Sequence, residues 1–310
     1  EKPDIHLISF DALMPPSLVK KFLKIDDIPY NKIVKDESII QIKNSFASIV
    51  PTKESTNSVM RLGNPNFPIS YEYFSGNLPS PLTSILKSNN YKIYNGYANV
   101  GLGYPGRFID DFYPDKDFFH SRQKQLCDWT VDNGVYLFFG YCKIFKGVFY
   151  SYGNDIWPKV MASRLKEIIS KNEPNPIFTF HHSGWPSHTG PGFKYNKEED
   201  LNLYKKSFYE NSEYLLPILE EIIHNFKTIN IRNRSKIVFI FGDHGSFVSR
   251  NVKNVDLKFK INDEHGILFM IVKNNTGCTL KDLKYYNSDY STTERVLSSL
   301  LRCLSKNPEK

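Results

Sequence analysis

The stretch that most constrains the fold is residues 237–246, which read IVFIFGDHGS. An unbroken apolar run of this length, bounded by a turn, is typical of a central parallel strand that is buried on both faces. Asp243 and His244 follow at its carboxyl end, the edge at which open α/β sheets bind ligands. Because a carboxylate and an imidazole together suit zinc or manganese, the stretch predicts a metal-binding edge. The alternative is that Asp243 only caps the next turn.

Strands and helices alternate along the rest of the chain. Further strands are predicted at residues 5–10, 43–50, 91–97, 176–181 and 267–273, and the clearest helices at 156–170, 197–226 and 291–304. A polar loop is expected between the strand that ends at the Asp-His pair and the strand at 267–273. This alternation predicts the α/β class, with a mostly parallel central sheet flanked by helices on both faces. We interpret residues 1–310 as a single catalytic domain, in which the aromatic-rich residues 101–152 form an insertion over the active edge.

The charge balance narrows the choice of partners. Forty Lys and Arg residues against 33 Asp and Glu give a net charge of +7. This excess is scattered rather than clustered, which argues against a nucleic-acid partner and is compatible with contact to an anionic membrane surface. The chain starts at Glu1 without a Met, and its first strand begins by Ile5. We therefore expect an upstream segment, either a signal sequence or a membrane anchor.

Four cysteines bear on the compartment in which the protein works. They are Cys127, Cys142, Cys278 and Cys303, and they lack the close spacing of a zinc knuckle. Two disulfides, Cys127–Cys142 and Cys278–Cys303, are the complete pairing that joins cysteines closest in sequence. The alternative is four buried free thiols, because the choice depends on the redox state of the compartment.

Polar side chains follow the ends of several predicted strands. They are Asp11, Thr52, His188, Asp243 and His244, and His265 stands just before the strand at 267–273. The carboxyl ends of parallel strands meet at one edge of the sheet, so residues far apart in sequence converge there around one ion. For Thr52 the alternative is a turn hydroxyl after Pro51.

In this order the motifs resemble those of the alkaline phosphatase/sulfatase superfamily, in the branch that holds the phosphoethanolamine and phosphoglycerol transferases. The motifs are ISFDAL (8–13), VPTKESTN (50–57), SHTGP (187–191), GDHG (242–245) and EHG (264–266), which together span nearly the whole chain. The resemblance implies that one divalent ion, zinc or manganese with magnesium or calcium as alternatives, is coordinated by Asp11, Thr52, Asp243 and His244.

The resemblance also implies a reaction in which Thr52 is the nucleophile. Coordination to a cation activates a threonine hydroxyl, which attacks phosphorus and gives a phosphothreonine. The enzyme would move a phosphoryl-linked head group, of the phosphoethanolamine or phosphoglycerol type, from a phospholipid or other phosphodiester donor to a glycan or lipid acceptor. One alternative is a phosphodiesterase or phosphatase that uses water as the acceptor. Another is a sulfatase-like protein without activity that serves as a binding module.

Three further residues receive roles from the resemblance. Asn57 would donate a hydrogen bond to a phosphoryl oxygen. His188 and His265 would hold substrate phosphate or a second zinc, and would protonate a leaving group. We count these three residues, with Thr52, as the candidate catalytic set.

The sequence departs from the family pattern in two places. Two-metal phosphodiesterases place an acid four residues before the loop histidine, where this chain has Gly184. A second metal site therefore lacks a carboxylate, which His181 or His182 would have to replace. Residues 52–56 read TKEST and lack the C-x-P-S-R pattern of sulfatases, which excludes formylglycine chemistry.

The same resemblance implies a location outside the cytoplasm. The resembling transferases carry their catalytic domain after membrane helices. We therefore expect this protein to work in a periplasm, at a cell surface or in a secretory lumen, anchored to the membrane by an upstream segment.

Overall fold

The computed structural model describes residues 2–70, 72–97, 106–113, 157–186, 198–248, 256–272, Cys278 and 290–306. The strands are β1 (Asp4–Phe10), β2 (Ile39–Gln41), β3 (Ser45–Phe46), β4 (Lys92–Tyr97), β5 (Asp111–Tyr113), β6 (Ile177–Ser183), β7 (Lys236–Gly242), β8 (Phe269–Val272) and β9 (Ser291–Thr292). The helices are α1 (Pro16–Leu23), α2 (Asn31–Val34), α3 (Thr52–Met60), α4 (Glu72–Ser75), α5 (Pro81–Ser88), α6 (Trp157–Ile169), α7 (Glu198–Thr228), α8 (Leu257–His265) and α9 (Thr293–Lys306).

Seven strands form the main sheet, in the order β2-β8-β7-β1-β6-β4-β5. Strand β1 pairs in parallel with both β6 and β7, and β4 pairs in parallel with β6 and β5. Strand β8 runs antiparallel to β7 and β2. The sheet is mostly parallel, as predicted.

Helices cover both faces of this sheet. Every residue of the central strand β1 is buried. Ile5 and Leu7 join one apolar cluster, which includes residues of α3, α5 and α9. Ile8 and Phe10 join a second cluster with residues of α1, α6 and α7. The three-layer α/β architecture is confirmed, because successive residues of β1 point to opposite faces and both faces are covered.

Two predicted elements were wrong in detail. Residues 43–50 do not form a strand of the main sheet, since only β3 is extended there and it pairs with β9 in a separate two-stranded sheet. Asn44, at φ 52°, interrupts the extended backbone just before β3. The polar stretch that was expected to be a loop before β8 contains the helix α8.

The cysteine pairing is confirmed in its second half. Cys278 and Cys303 form a disulfide with their Cα atoms 6.1 Å apart. Cys127 and Cys142 lie outside the described residues, as does most of the predicted 101–152 insertion. Its residues 111–113 form β5 at the edge of the sheet. No helix in the described ranges combines the length and apolar character needed to cross a membrane.

Candidate metal centre

Two acidic side chains follow adjacent strands of the sheet. Strands β1 and β7 are in register, with Phe10 opposite Gly242, so the next residues are Asp11 and Asp243. The pairing continues past the strand ends, because the Asp243 N–H donates to the Phe10 carbonyl at 3.1 Å. The Asp11 N–H in turn donates to the Ser183 carbonyl on β6, at 2.8 Å. Backbone hydrogen bonds therefore fix both carboxylates at the carboxyl edge.

Asp243 is held by a turn that follows β1. Its Oδ1 accepts a hydrogen bond from the Ala12 N–H at 3.1 Å. Ala12 adopts a φ of 57°, a left-handed conformation that few non-glycine residues take. The other carboxylate oxygen, Oδ2, is buried and has no hydrogen-bond partner among the described residues. A buried carboxylate oxygen without a partner is costly, so this position favours a cation.

His244 is oriented by its own backbone. Its Nδ1 lies 2.8 Å from the Gly245 carbonyl oxygen and donates to it, which leaves Nε2 facing the two acids. Nε2 lies 3.1 Å from Asp11 Oδ1 and 3.6 Å from Asp243 Oδ2. The ligand atoms of these three buried residues all fall within 4.8 Å of one another. Proteins usually orient a metal-binding histidine in this way, through a hydrogen bond that the ring nitrogen away from the metal donates.

The electrostatics of the group favour positive charge. Burial alone would lower the pKa of His244, but the Asp243 charge, together with the hydrogen bond and charge of Asp11, raises it to about 9. The two carboxylates thus stabilise a cation at the position that His244 Nε2 faces.

Thr52 completes the group from a third direction. It is the first residue of α3, and its Oγ1 lies 3.1 Å from His244 Nε2. Two carboxylates and one imidazole thus form a cluster, and the hydroxyl contacts the imidazole nitrogen of that cluster. Nitrogen and oxygen donors in this number fit a divalent ion such as zinc or manganese. The donor set fits such an ion, and so does Asp243 Oδ2, which is buried without a hydrogen-bond partner among the described residues.

A neighbouring helix holds the Asp-His turn in place. The Gly245 and Ser246 N–H groups donate to the carbonyls of Glu264 and Asp263, each at 2.9 Å. The Ser246 hydroxyl also donates to the Asp263 carboxylate. A Cβ at Gly245 would overlap the Asp263 carbonyl oxygen, so only glycine permits this approach. The contribution of α8 was missed at the sequence level, because its residues lack a clear apolar period.

Of the remaining predicted residues, the structure describes Asn57 and His265, which make hydrogen bonds to other parts of the chain. Asn57 is buried, and its Nδ2 donates to the Lys53 carbonyl within α3 at 2.8 Å. His265 ends α8, and its Nδ1 donates to the Ala47 carbonyl at 2.7 Å. It reaches the carboxyl edge because β8 is antiparallel, so the start of β8 lies beside the end of β7. His188 lies outside the described residues.

Of the two strand-end histidines, one faces the centre. His182 is buried, its Nδ1 lies 2.7 Å from Ser9 Oγ, and its Nε2 lies 3.9 Å from Asp243 Oδ2. Burial lowers its pKa although the nearby carboxylates of Asp243 and Asp11 oppose that shift. His181 points to the opposite face of β6, where it packs against Gly96. Strand alternation indicates that only one of the two histidines can face the site.

Comparisons with known proteins give structural likenesses only. No protein-family model and no curated protein matches the chain. Among solved structures, the C-terminal periplasmic domain of EcEptC from Escherichia coli in complex with Zn has 14% identity and a TM-score of 0.56. That match covers 96% of this chain and 81% of the other.

Two further structures have the same architecture. The soluble domain of lipooligosaccharide phosphoethanolamine transferase A from Neisseria meningitidis is 10% identical over 97% of this chain and 88% of its own, with a TM-score of 0.59. Phosphonate monoester hydrolase of Agrobacterium radiobacter is 11% identical over 88% of this chain and 68% of its own, with a TM-score of 0.51. At these identities the likeness concerns the fold. The chain adopts the fold of the alkaline phosphatase/sulfatase superfamily.

Proposed function

We propose that the protein is a metal-dependent phosphotransferase that moves a phosphoryl-linked head group from a lipid donor to a glycan or lipid acceptor. The observation that carries the proposal is that the Thr52 hydroxyl contacts His244 Nε2, which lies in a buried cluster with Asp11 and Asp243. One of the structural relatives is a phosphoethanolamine transferase, which supports the choice of head group.

Each residue of the centre has a role in this proposal. Asp11, Asp243 and His244 would hold the divalent ion, which supplies positive charge that lowers the pKa of the Thr52 hydroxyl. The Thr52 hydroxyl releases its proton to solvent, its Oγ1 forms a bond to phosphorus, and the bond from phosphorus to the donor's alcohol oxygen breaks. The departing alkoxide takes up a proton, and His265 or His188 is the proposed donor.

The second half of the reaction regenerates Thr52. A hydroxyl of the acceptor attacks the phosphothreonine and passes its proton to the histidine that protonated the first leaving group, and the product ester forms. The bond between phosphorus and Thr52 Oγ1 breaks, and Oγ1 takes up a proton from solvent, which restores the threonine hydroxyl. Thr52 is the first residue of α3, and the first N–H groups of a helix have no intrahelical acceptor. The start of α3 therefore offers donors and the positive end of the helix dipole to phosphoryl oxygens.

A hydrolase that uses water in this second step is the alternative, and its first step is identical. The resemblance to a phosphonate monoester hydrolase is compatible with it. The identity of the acceptor therefore has to be tested by product analysis.

The test uses the zinc- or manganese-loaded protein with a phosphodiester donor. We expect mass spectrometry to find one phosphoryl-linked adduct on Thr52, and the head group to appear on an added glycan or lipid acceptor. Release of the head group to water, with the adduct present, would instead assign a hydrolase. If no adduct forms and no phosphodiester is turned over, the protein is a binding module and the proposal is overturned.

We also propose that the protein works outside the cytoplasm, attached to a membrane. The Cys278–Cys303 disulfide supports this location, because disulfides persist mainly in oxidising compartments. One of the structural relatives is a periplasmic domain. Fractionation of cells that express the full-length gene product tests the proposal, and recovery in the reduced cytosolic fraction would overturn it.

A further inference from the structure

A cavity of about 400 Å³ lies beside α3 and α9, separate from the metal centre. None of the proposed ligands is among the described residues that line it. Ser58 and the helix-capping Arg61 form part of its wall, whereas Thr52 begins the same helix. At a rise of 1.5 Å per residue, Thr52 and Arg61 lie roughly 13 Å apart along α3. The cavity therefore belongs to the far end of the helix that carries the nucleophile.

The charged residues of this cavity are mainly basic. Arg61, Arg295 and Arg302 line it, and Glu294 is the one acid among its described lining residues. The Glu294 carboxylate accepts a hydrogen bond from Ser58 Oγ at 3.0 Å. Three guanidinium groups against one engaged carboxylate leave the cavity with net positive charge.

Arg61 is the strongest sign that an anion belongs here. It is only 6% exposed. One of its terminal nitrogens donates to the Phe67 carbonyl at 2.6 Å, while its Nε has no hydrogen-bond partner. No carboxylate in the described ranges forms an ion pair with it. Because a buried guanidinium without an opposite charge is unfavourable, the cavity is a place where an anion would stabilise the protein.

The second arginine is positioned by an aromatic stack. The Arg295 guanidinium lies 5.4 Å from the centre of the Tyr290 ring. That ring stacks on Phe46 at 5.2 Å. Stacking on an aromatic face orients a guanidinium. The stack thus fixes the position of Arg295 in the cavity wall.

We propose that this cavity binds a small hydroxyl-bearing molecule through a phosphate group. Guanidinium groups match the geometry of phosphate oxygens through paired N–H donors. The hydroxyls of Ser48, Thr292, Ser298 and Ser299 also line the cavity and suit a polar body attached to that phosphate. The volume lies in the lower range for small-ligand sites. This site does not depend on the metal, on Thr52 or on the proposed transferase activity.

Binding is tested by calorimetric titration of the full chain after metal removal, with inorganic phosphate and with ribose 5-phosphate as probes. Without metal, Asp11 and Asp243 repel anions, so the centre does not compete for the probe. Saturable binding, tighter for ribose 5-phosphate than for phosphate, is the expected result. Equal affinities for the two probes would overturn the assignment of an organic ligand, and absence of saturable binding would overturn the site.

Arg302 is exposed, so its substitution preserves folding. Arg302→Ala should weaken binding about tenfold, the usual effect of losing one charged hydrogen bond. Glu294→Gln should strengthen binding several-fold, because it removes the opposing charge with little change of shape. Lys206→Ala, on the exposed side of α7, is the matched control and should change nothing. Equal losses in the arginine and lysine variants, with unchanged melting temperatures, would refute the location.

Discussion

Thr52 Oγ1 lies 3.1 Å from His244 Nε2, although 192 residues separate them in the chain. The contact joins the start of α3 to the end of β7, two elements that share no local sequence signal. It brings a hydroxyl to the imidazole that lies in a buried cluster with two carboxylates. The metal and nucleophile proposals both depend on this arrangement, and each can be tested alone.

Asp243→Asn should weaken zinc binding by about 100-fold or more, since even residues that only orient metal ligands contribute 10- to 100-fold. The substitution keeps the shape of the side chain and removes the charge of a carboxylate whose buried Oδ2 has no hydrogen-bond partner among the described residues. Isothermal titration with zinc measures the effect. Asp26→Asn is the control, because Asp26 is an exposed acid paired with Lys20. Unchanged zinc affinity in Asp243→Asn would remove Asp243 from the ligand set.

Thr52→Ala should lower turnover by roughly 10⁴-fold or more while zinc remains bound, because the covalent route is closed. Thr52→Ser keeps a hydroxyl and should retain measurable activity. The rate of release from a phosphodiester donor, measured beside metal content, separates these effects. Thr228→Ala alters an exposed threonine of α7 and serves as the control. Near-normal turnover in Thr52→Ala would mean that water attacks the donor directly.

His265→Asn should reduce the rate about 10²- to 10⁴-fold, the range for loss of a general acid, with little change in zinc affinity. An asparagine amide can still donate to the Ala47 carbonyl, as His265 Nδ1 does, but it lacks the titratable Nε2. Measuring kcat and the zinc dissociation constant of the same variant separates an effect on the rate from an effect on metal binding. His224→Asn changes an exposed histidine and provides the baseline. A fall in zinc affinity equal to the fall in rate would make His265 a metal ligand instead.

His181 should make the protein sensitive to acid. Burial, aided by the Arg164 charge, lowers the pKa of His181 to about 3, below the ordinary value near 6.5. Its stabilising contribution is therefore complete above about pH 6.5 and is lost as the pH falls towards 3, because only the unfolded chain takes up the proton. The expected loss is about 1.4 kcal/mol per pH unit in that window.

His181→Leu should reduce this slope, because the variant has no proton to take up at that position. Denaturant unfolding at several pH values measures the slope, which is independent of any constant loss of packing. His224→Leu removes an exposed histidine and should leave the slope unchanged. An equal slope in His181→Leu and wild type would show that other groups control the acid response.

The sequence predicted the buried strand β7 and the Asp-His pair that follows it because both signals are local. An unbroken apolar run is typical of a strand covered on two faces, and polar residues at its end mark the ligand edge. The direction of β8 could not be predicted in this way, since its apolar residues suit either orientation. That direction is set by pairing with β7 and β2, and it is what brings His265 to the correct edge.

Side-chain orientation and tertiary contacts could not be predicted from the sequence either. His181 and His182 are adjacent residues of the same type, and only the register of β6 against β1 shows that His182 faces the centre. Helix α8 has little apolar periodicity of its own. Its backbone and Asp263 are held instead by contacts with Gly245 and Ser246. Long-range hydrogen bonds of this kind cannot be predicted from the local spacing of apolar and polar residues.

The central position of β1 has a consequence for synthesis of the chain. His6 of β1 pairs with Thr179 of β6, 173 residues later, and β7 follows later still. At about 5–20 residues per second, β1 leaves the ribosome roughly 10 to 35 seconds before its first neighbour in the sheet is made. During that interval a seven-residue strand, buried throughout in the finished protein, has neither partner available. The apolar residues of this strand therefore stay without their sheet partners for most of the synthesis of the chain.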